Sequence, residues 1–171
     1  RNLRRTPMFT YGMVCAHFGI AVALAGMSTE RAFIKETLIA ARIGDTARVG
    51  PYDVKFVGIE PVAGPNWTAL EATLEARRGS GEPFRLKPQA RAYSAPPTET
   101  TEAAIATRLD GQLYLVLGKG DAQGRWQLRL WWKPMVTLIW LGGALIAFGG
   151  ALSLIGRGRR EWDRSIRRGY A

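Results

Sequence analysis

One histidine and one cysteine stand in a chain of 171 residues, and that scarcity closes off several chemistries. A lone cysteine excludes a disulfide-built scaffold. Residues 28–133 hold neither a histidine nor a cysteine, so they offer no zinc-type ligand set. They also lack a Gly-x-Ser-x-Gly elbow, a phosphate-binding loop and a His-Glu-x-x-His helix. Glu99 and Glu102 are near neighbours, but they stand in a Thr/Pro-rich stretch that reads as a solvated loop. Gly118-Lys119-Gly120 is expected as a hairpin turn, not a phosphate cradle.

Charge is missing from two long runs. Residues 8–27 and 134–155 carry no Asp, Glu, Lys or Arg. At 1.5 Å of rise per residue they reach about 30 and 33 Å, enough to cross a hydrocarbon core as helices. The first run is longer than a signal-peptide core and a large polar segment follows it. Pro134 suits a first helical turn, and Trp131 and Trp132 precede it at the level of an aromatic belt.

What charge there is collects at the ends. The formal charge is +10, of which residues 1–5 and 156–171 hold +7, leaving +3 for the remainder. A basic protein of this size suggests nucleic acid, but the basic residues flank the two apolar runs instead of interleaving with aromatics. No nucleic-acid partner is expected. The positive-inside rule then puts both termini in the cytoplasm and residues 28–133 on the far side, the periplasm in a Gram-negative cell. The expected organisation is a cytoplasmic basic loop (1–7), a transmembrane helix (8–27), a periplasmic β-rich domain (28–133), a second transmembrane helix (134–155) and an Arg-rich cytoplasmic tail (156–171). The abrupt start on a basic loop, without an initiator Met, suggests a piece of a larger polytopic protein.

Between the spans the pattern is mostly β. Trp126, Leu128, Leu130 and Trp132 alternate with Gln127, Arg129 and Trp131, and Tyr52, Val54 and Phe56 with Asp53 and Lys55. Leu113–Leu117 reads as a central strand. Residues 67–78 have helix-forming composition but strand alternation, and hairpin-length spacing favours strand. Residues 28–40 continue the first helix for a turn or two. A small, mostly antiparallel barrel or sandwich follows.

His17 is the tenth residue of the first run and so sits near the bilayer midplane. Ionisable side chains at that depth are costly and usually functional. Two uses fit: ligation of a metal or haem iron, or a hydrogen bond to a neighbouring helix. At about 100° of turn per residue, Gly12, Ala16, Gly19, Ala23 and Gly26 form a small-residue stripe broadly opposite His17. The His17 face carries Met13, Val14, Ile20, Ala21 and Leu24. A histidine on a bulky apolar wall, with close helix packing behind it, favours the ligand role. Met13 is on the same helix, so any second axial ligand comes from another segment. Gly142-Gly143 and Gly149-Gly150 in the second run read as close packing in a helical bundle, and Cys15 as a small packing residue.

The order of elements resembles the C-terminal end of the CcmF family, which includes CycK and NrfE, the integral membrane haem lyases of bacterial cytochrome c maturation. The resemblance is carried by Ala16-His17-x-Gly19, Gly44-Asp45, Gly50-Pro51-Tyr52 and Gly64-Pro65-Asn66-Trp67. It continues through Lys87-Pro88-Gln89-Ala90-Arg91-Ala92-Tyr93, Thr101-Glu102-Ala103-Ala104-Ile105 and Leu113-Tyr114. Trp126-x-x-Arg129, Lys133-Pro134, Ile139-Trp140-Leu141-Gly142 and Gly149-Gly150 complete it. Trp67 and Gln112 depart from the Tyr and Asp more usual in the family. The resemblance implies that His17 is one axial ligand of an intramembrane b-type haem, with the second histidine elsewhere in the full protein. It implies haem as substrate and attachment to Cys-x-x-Cys-His of apocytochrome c. The implied partners are the rest of the CcmF chain, CcmH, CcmI, the haem chaperone CcmE and the lipid bilayer of the inner membrane. Residues 28–133 would be a partner-docking domain, and this fragment alone is not expected to be catalytic. The rival expectation is a two-span membrane scaffold bearing a β binding module and no cofactor.

Overall fold

The computed structural model describes residues 6–169. Residues 1–5 and 170–171, part of the basic ends behind the topology expectation, lie outside it. The chain divides into a helical unit, drawn from its two ends, and a β unit, Ala32–Pro134.

The helical unit contains α1 (Met8–Phe33) and α2 (Thr137–Gly169). Both are long and apolar enough to cross a membrane, over Met8–Phe33 and Thr137–Arg160. Thr29 rotates its hydroxyl back to the Ala25 carbonyl, so the polar residues after Met27 extend the helix without a break. Pro134 does not open α2. The preceding strand runs through it, and Met135, at φ 56°, turns the chain before the helix begins at Thr137.

Ten strands make the β unit: β1 (Lys35–Ala41), β2 (Thr46–Val49), β3 (Tyr52–Ala63), β4 (Trp67–Arg78), β5 (Phe84–Leu86), β6 (Gln89–Ser94), β7 (Pro97–Glu102), β8 (Ala104–Arg108), β9 (Gly111–Gly120) and β10 (Trp126–Pro134). They form two antiparallel sheets, β1-β10-β9-β8 and β2-β3-β4-β6-β7, with β5 pairing the far half of β4. The arrangement is a sandwich. Residues 67–78 are strand, as their alternation indicates, because Ala72, Leu74 and Ala76 fill the core while Thr73, Glu75 and Arg77 stand off it. Burial beats helix propensity there.

The inner faces interdigitate Val49, Tyr52, Val54, Phe56 and Leu74 from one sheet with Leu113, Leu115, Leu117, Leu128 and Leu130 from the other. Trp132 belongs to this core and not to an aromatic belt. Its ring lies 5.3 Å from that of Tyr52 and against Gly50, whose φ of +54° makes the β2–β3 turn. A side chain at Gly50 would meet the indole, so glycine serves both the turn and the tryptophan. Glu99 and Glu102 are exposed, as a solvated stretch should be, but they lie on the edge strand β7 and not in a loop. Gly118-Lys119-Gly120 ends β9, and the turn is the next segment, Asp121–Gly124.

Candidate functional site

The helical unit is built on absent side chains. Gly12, Gly19 and Gly26 recur every seventh residue of α1 and are its buried positions. A β-carbon at Gly12 would stand 2.5 Å from the Gly149 carbonyl oxygen, and one at Gly19 2.7 Å from that of Gly142. From the other side, Gly156 approaches the Phe9 backbone and Gly149 that of Ala16. Backbones in contact gain dispersion along their length, which is how helices associate where lipid supplies no hydrophobic drive between them. Of each glycine pair in α2 only the first faces α1; Gly143 and Gly150 meet nothing within 4 Å. Two polar side chains mark the seam: Ser153 donates to the Phe9 carbonyl at 3.1 Å, and the Cys15 thiol donates to that of Leu145 at 3.6 Å.

His17 projects from the other side of α1. It is exposed, among the exposed apolar side chains of Met13, Val14, Ile20 and Leu24. Its Nδ1 lies 2.8 Å from the carbonyl oxygen of Met13, one turn back. Only a protonated Nδ1 can donate to that oxygen, so the neutral ring carries its lone pair on Nε2. Such a bond fixes the ring's orientation and tautomer. A single imidazole nitrogen, held on an apolar wall, is what these residues present. Cys15 faces the seam and is not part of the wall.

The β unit presents ion pairs but no comparable centre, and no group of three or more His, Cys, Asp or Glu gathers as a metal site among the described residues. Glu71 accepts hydrogen bonds from Lys87, at 2.7 Å, and from Gln89, and these hold its carboxyl below the ordinary glutamate range. Arg78 reaches Asp110 at 2.6 Å, which raises the guanidinium further. Asp121 is lowered chiefly by the backbone N–H of Arg125, within the β9–β10 turn. Glu71 ties β4 to β6, Arg78 ties the end of β4 to the β8–β9 turn, and Asp121 closes one turn, all structural uses.

Two features escaped the sequence. The partner of the α1 stripe is α2 itself, and the matching seven-residue recurrence of Gly142, Gly149 and Gly156 was the available signal. The other is a cleft of about 630 Å³ between β6 and β7 on one side and the ends of β9 and β10 on the other. Its lining residues come from five strands and a turn, so no local pattern announces it.

Two membrane-span-like helices bracketing an antiparallel β-sandwich, with one histidine turned outward at mid-helix, define a class of membrane-anchored sandwich protein. Residues 32–134 match the family model described as the CcmF C-terminal beta-sandwich. The cytochrome c-type biogenesis protein CycK of Bradyrhizobium diazoefficiens is 38% identical over 157 residues, 92% of this chain and 24% of that protein. CcmF of Haemophilus influenzae is 33% identical over 156 residues, 91% of this chain and 24% of that one. A solved structure, the Cytochrome c Heme Lyase CcmF, shares the fold with a TM-score of 0.65 at 23% identity, over 84% of this chain and 24% of its own. This chain belongs to the CcmF family. It spans about a quarter of the length of the curated relatives it matches.

Proposed function

We infer that the chain works as part of a cytochrome c haem lyase, in which α1 supplies one axial ligand to an intramembrane b-type haem and the sandwich docks partners. The observation that carries the ligand role is the Nδ1 bond of His17 to the Met13 carbonyl, which leaves Nε2 as a directed lone pair on an apolar face. When bound, a b-type haem supplies one-electron redox chemistry, suited to reducing the iron of the haem to be attached. The chain's own part is to hold His17 at one height and angle, through the helix seam behind it, and to keep water from its nitrogen with Met13, Val14 and Ile20. The second histidine comes from another segment of the full protein.

The relatives' name supports cytochrome c biogenesis as the process, and haem as substrate with it. The reading extends to thioether attachment at Cys-x-x-Cys-His of apocytochrome c, with CcmE delivering haem and CcmH and CcmI as neighbours in the complex. Both termini would be cytoplasmic and residues 28–133 periplasmic, in the bacterial inner membrane, as the basic ends favour. The sandwich, without a metal cluster or a catalytic constellation among its described residues, suits docking better than chemistry.

The purified lyase complex tests this directly. His17→Ala is expected to remove the b-type haem absorbance while the complex still assembles. An unchanged spectrum overturns the ligand assignment. A wild-type complex with no haem at all supports the cofactor-free scaffold instead.

A further inference from the structure

One end of the sandwich stands next to the helices along the chain. Only Ile34 separates α1 from β1, and only Met135 and Val136 separate β10 from α2. Strand register carries that end across the first sheet. Lys35 pairs with Trp132 and Pro134 with Gly111, so the β8–β9 turn is level with the exit of β10. In the other sheet the β2–β3 turn lies against Trp132, and Tyr52 pairs with Arg78 at the end of β4. Arg78 joins the two sheets there through Asp110.

The net charge of the sandwich is concentrated at this end. Lys35, Arg48, Arg77, Arg78, Arg108 and Lys133 outnumber Asp53, Glu82 and Asp110 by three, the whole net charge of residues 32–134. The other charges of those residues cancel. Arg78 is matched by Asp110 at 2.6 Å, and Arg48 comes only to 4.0 Å from Asp53. Lys35, Arg77, Arg108 and Lys133 meet no carboxylate within 4 Å among the described residues. Lys87, Arg91, Lys119, Arg125 and Arg129, elsewhere on the sandwich, each meet one.

Apolar and amphipathic side chains accompany these cations. Leu109, at the tip of the β8–β9 turn beside Arg108, is 95% exposed. Trp131 alternates with the core residue Trp132 and so stands on the outer face of its sheet, edge to face with Tyr114 at 5.4 Å. The Lys133 ammonium lies 5.4 Å from the Tyr114 ring. A half-buried tryptophan, cations beside it and a protruding leucine suit the boundary between hydrocarbon and headgroups.

We propose that this end of the sandwich binds anionic phospholipid headgroups of the bilayer that the helices cross, through Arg77, Arg108 and Lys133, with Leu109 inserted between them. Surplus positive charge complements a net-negative headgroup and discriminates against a zwitterionic one. Each arginine adds a planar fork of donors for phosphate oxygens. Met135 and Val136 reach at most about 7 Å before α2 begins, so the exit of β10 stays within range of the headgroups. The surface is separate from His17 and does not depend on the haem reading.

Lipid nanodiscs carrying the full chain test this. The reporter is an NBD fluorophore on Leu109→Cys in a Cys15→Ser background, and the quencher is a doxyl-labelled phosphatidylcholine. Quenching is expected to be roughly threefold stronger in discs containing phosphatidylglycerol than in phosphatidylcholine alone. Arg77→Gln, Arg108→Gln and Lys133→Gln together remove that difference. Arg42→Gln, Lys55→Gln and Lys119→Gln together lose the same charge elsewhere and keep it. The same fluorophore on Gln123→Cys, in the turn at the opposite end, shows no quenching. Equal quenching at Leu109→Cys in both discs overturns recognition of anionic lipid, and none in either overturns the contact. Loss of the difference in the second triple variant overturns the assignment to this end. A rise in phosphatidylcholine discs on adding inorganic phosphate overturns lipid as the source of the phosphate.

Discussion

The two halves of this protein hold together by opposite means. In the sandwich, large side chains such as Tyr52, Phe56, Leu115 and Leu130 are fully buried and fill the space between two sheets. In the helical unit the buried positions of α1 are glycines, and most large side chains, Met13, Phe18 and Leu24 among them, point outward. Water expels the first set, whereas the second set faces an environment as apolar as itself. So the sandwich gains by volume, and the helix pair gains by proximity. Chemistry is divided the same way. The one histidine sits on the outward apolar face, and the ion pairs sit on the sandwich.

Substitutions break this contrast most sharply at the seam. Gly19→Leu, placed where a β-carbon already stands 2.7 Å from the Gly142 oxygen, is expected to separate the helices. Oxidative cross-linking between Cys15 and Leu145→Cys should fall at least tenfold, with the sandwich unaffected by circular dichroism. In the sandwich the equivalent injury is loss of volume. Leu115→Ala should cost about 3 kcal/mol, read by denaturant unfolding in the presence of detergent, and leave the cross-link unchanged. Gly143→Ala sharpens the comparison from the other side: nothing lies within 4 Å of its β-carbon, so helix propensity alone acts. A gain of up to about 1 kcal/mol is expected there, against a clear loss for Gly142→Ala.

The smallest effect is electrostatic and confined to the sandwich. Glu71 is held below its ordinary value by the hydrogen bonds from Lys87 and Gln89. A carboxyl lowered on folding contributes stability above its unfolded pKa and loses it as pH falls through the folded one. The thermal midpoint of the wild type should therefore drop through that acid window. Glu71→Gln should show a shallower drop, with both chains measured in the same detergent.

Much of this division is visible in the chain itself. Charge-free runs give the spans, alternation gives β3 and β10, a short apolar run gives β9, and the small-residue stripe puts His17 opposite a seam. What stays hidden depends on contacts distant in sequence. Trp132 has the composition of a belt residue, and only the β2–β3 turn at Gly50 converts it into core. Gly118-Lys119-Gly120 has the composition of a turn, but the bonds of Asp121 to Gln123 and Arg125 pull the turn three residues along. The cleft is invisible for the same reason, since it exists only because β8 ends before β9 does.

The glycine seam has one more consequence. A contact that repeats every seven residues on both helices behaves like a vernier: shifted by one period, it would again place glycine on glycine, with Gly12, Gly19 and Gly26 opposite Gly156, Gly149 and Gly142. The backbone contact is therefore strong but degenerate, blind to which of two alignments it holds. Ser153 and Cys15 both donate to backbone carbonyls, which every turn supplies, so they tighten the seam in either alignment. The alignment matters because a slide of one period would carry His17 about 10 Å along α2.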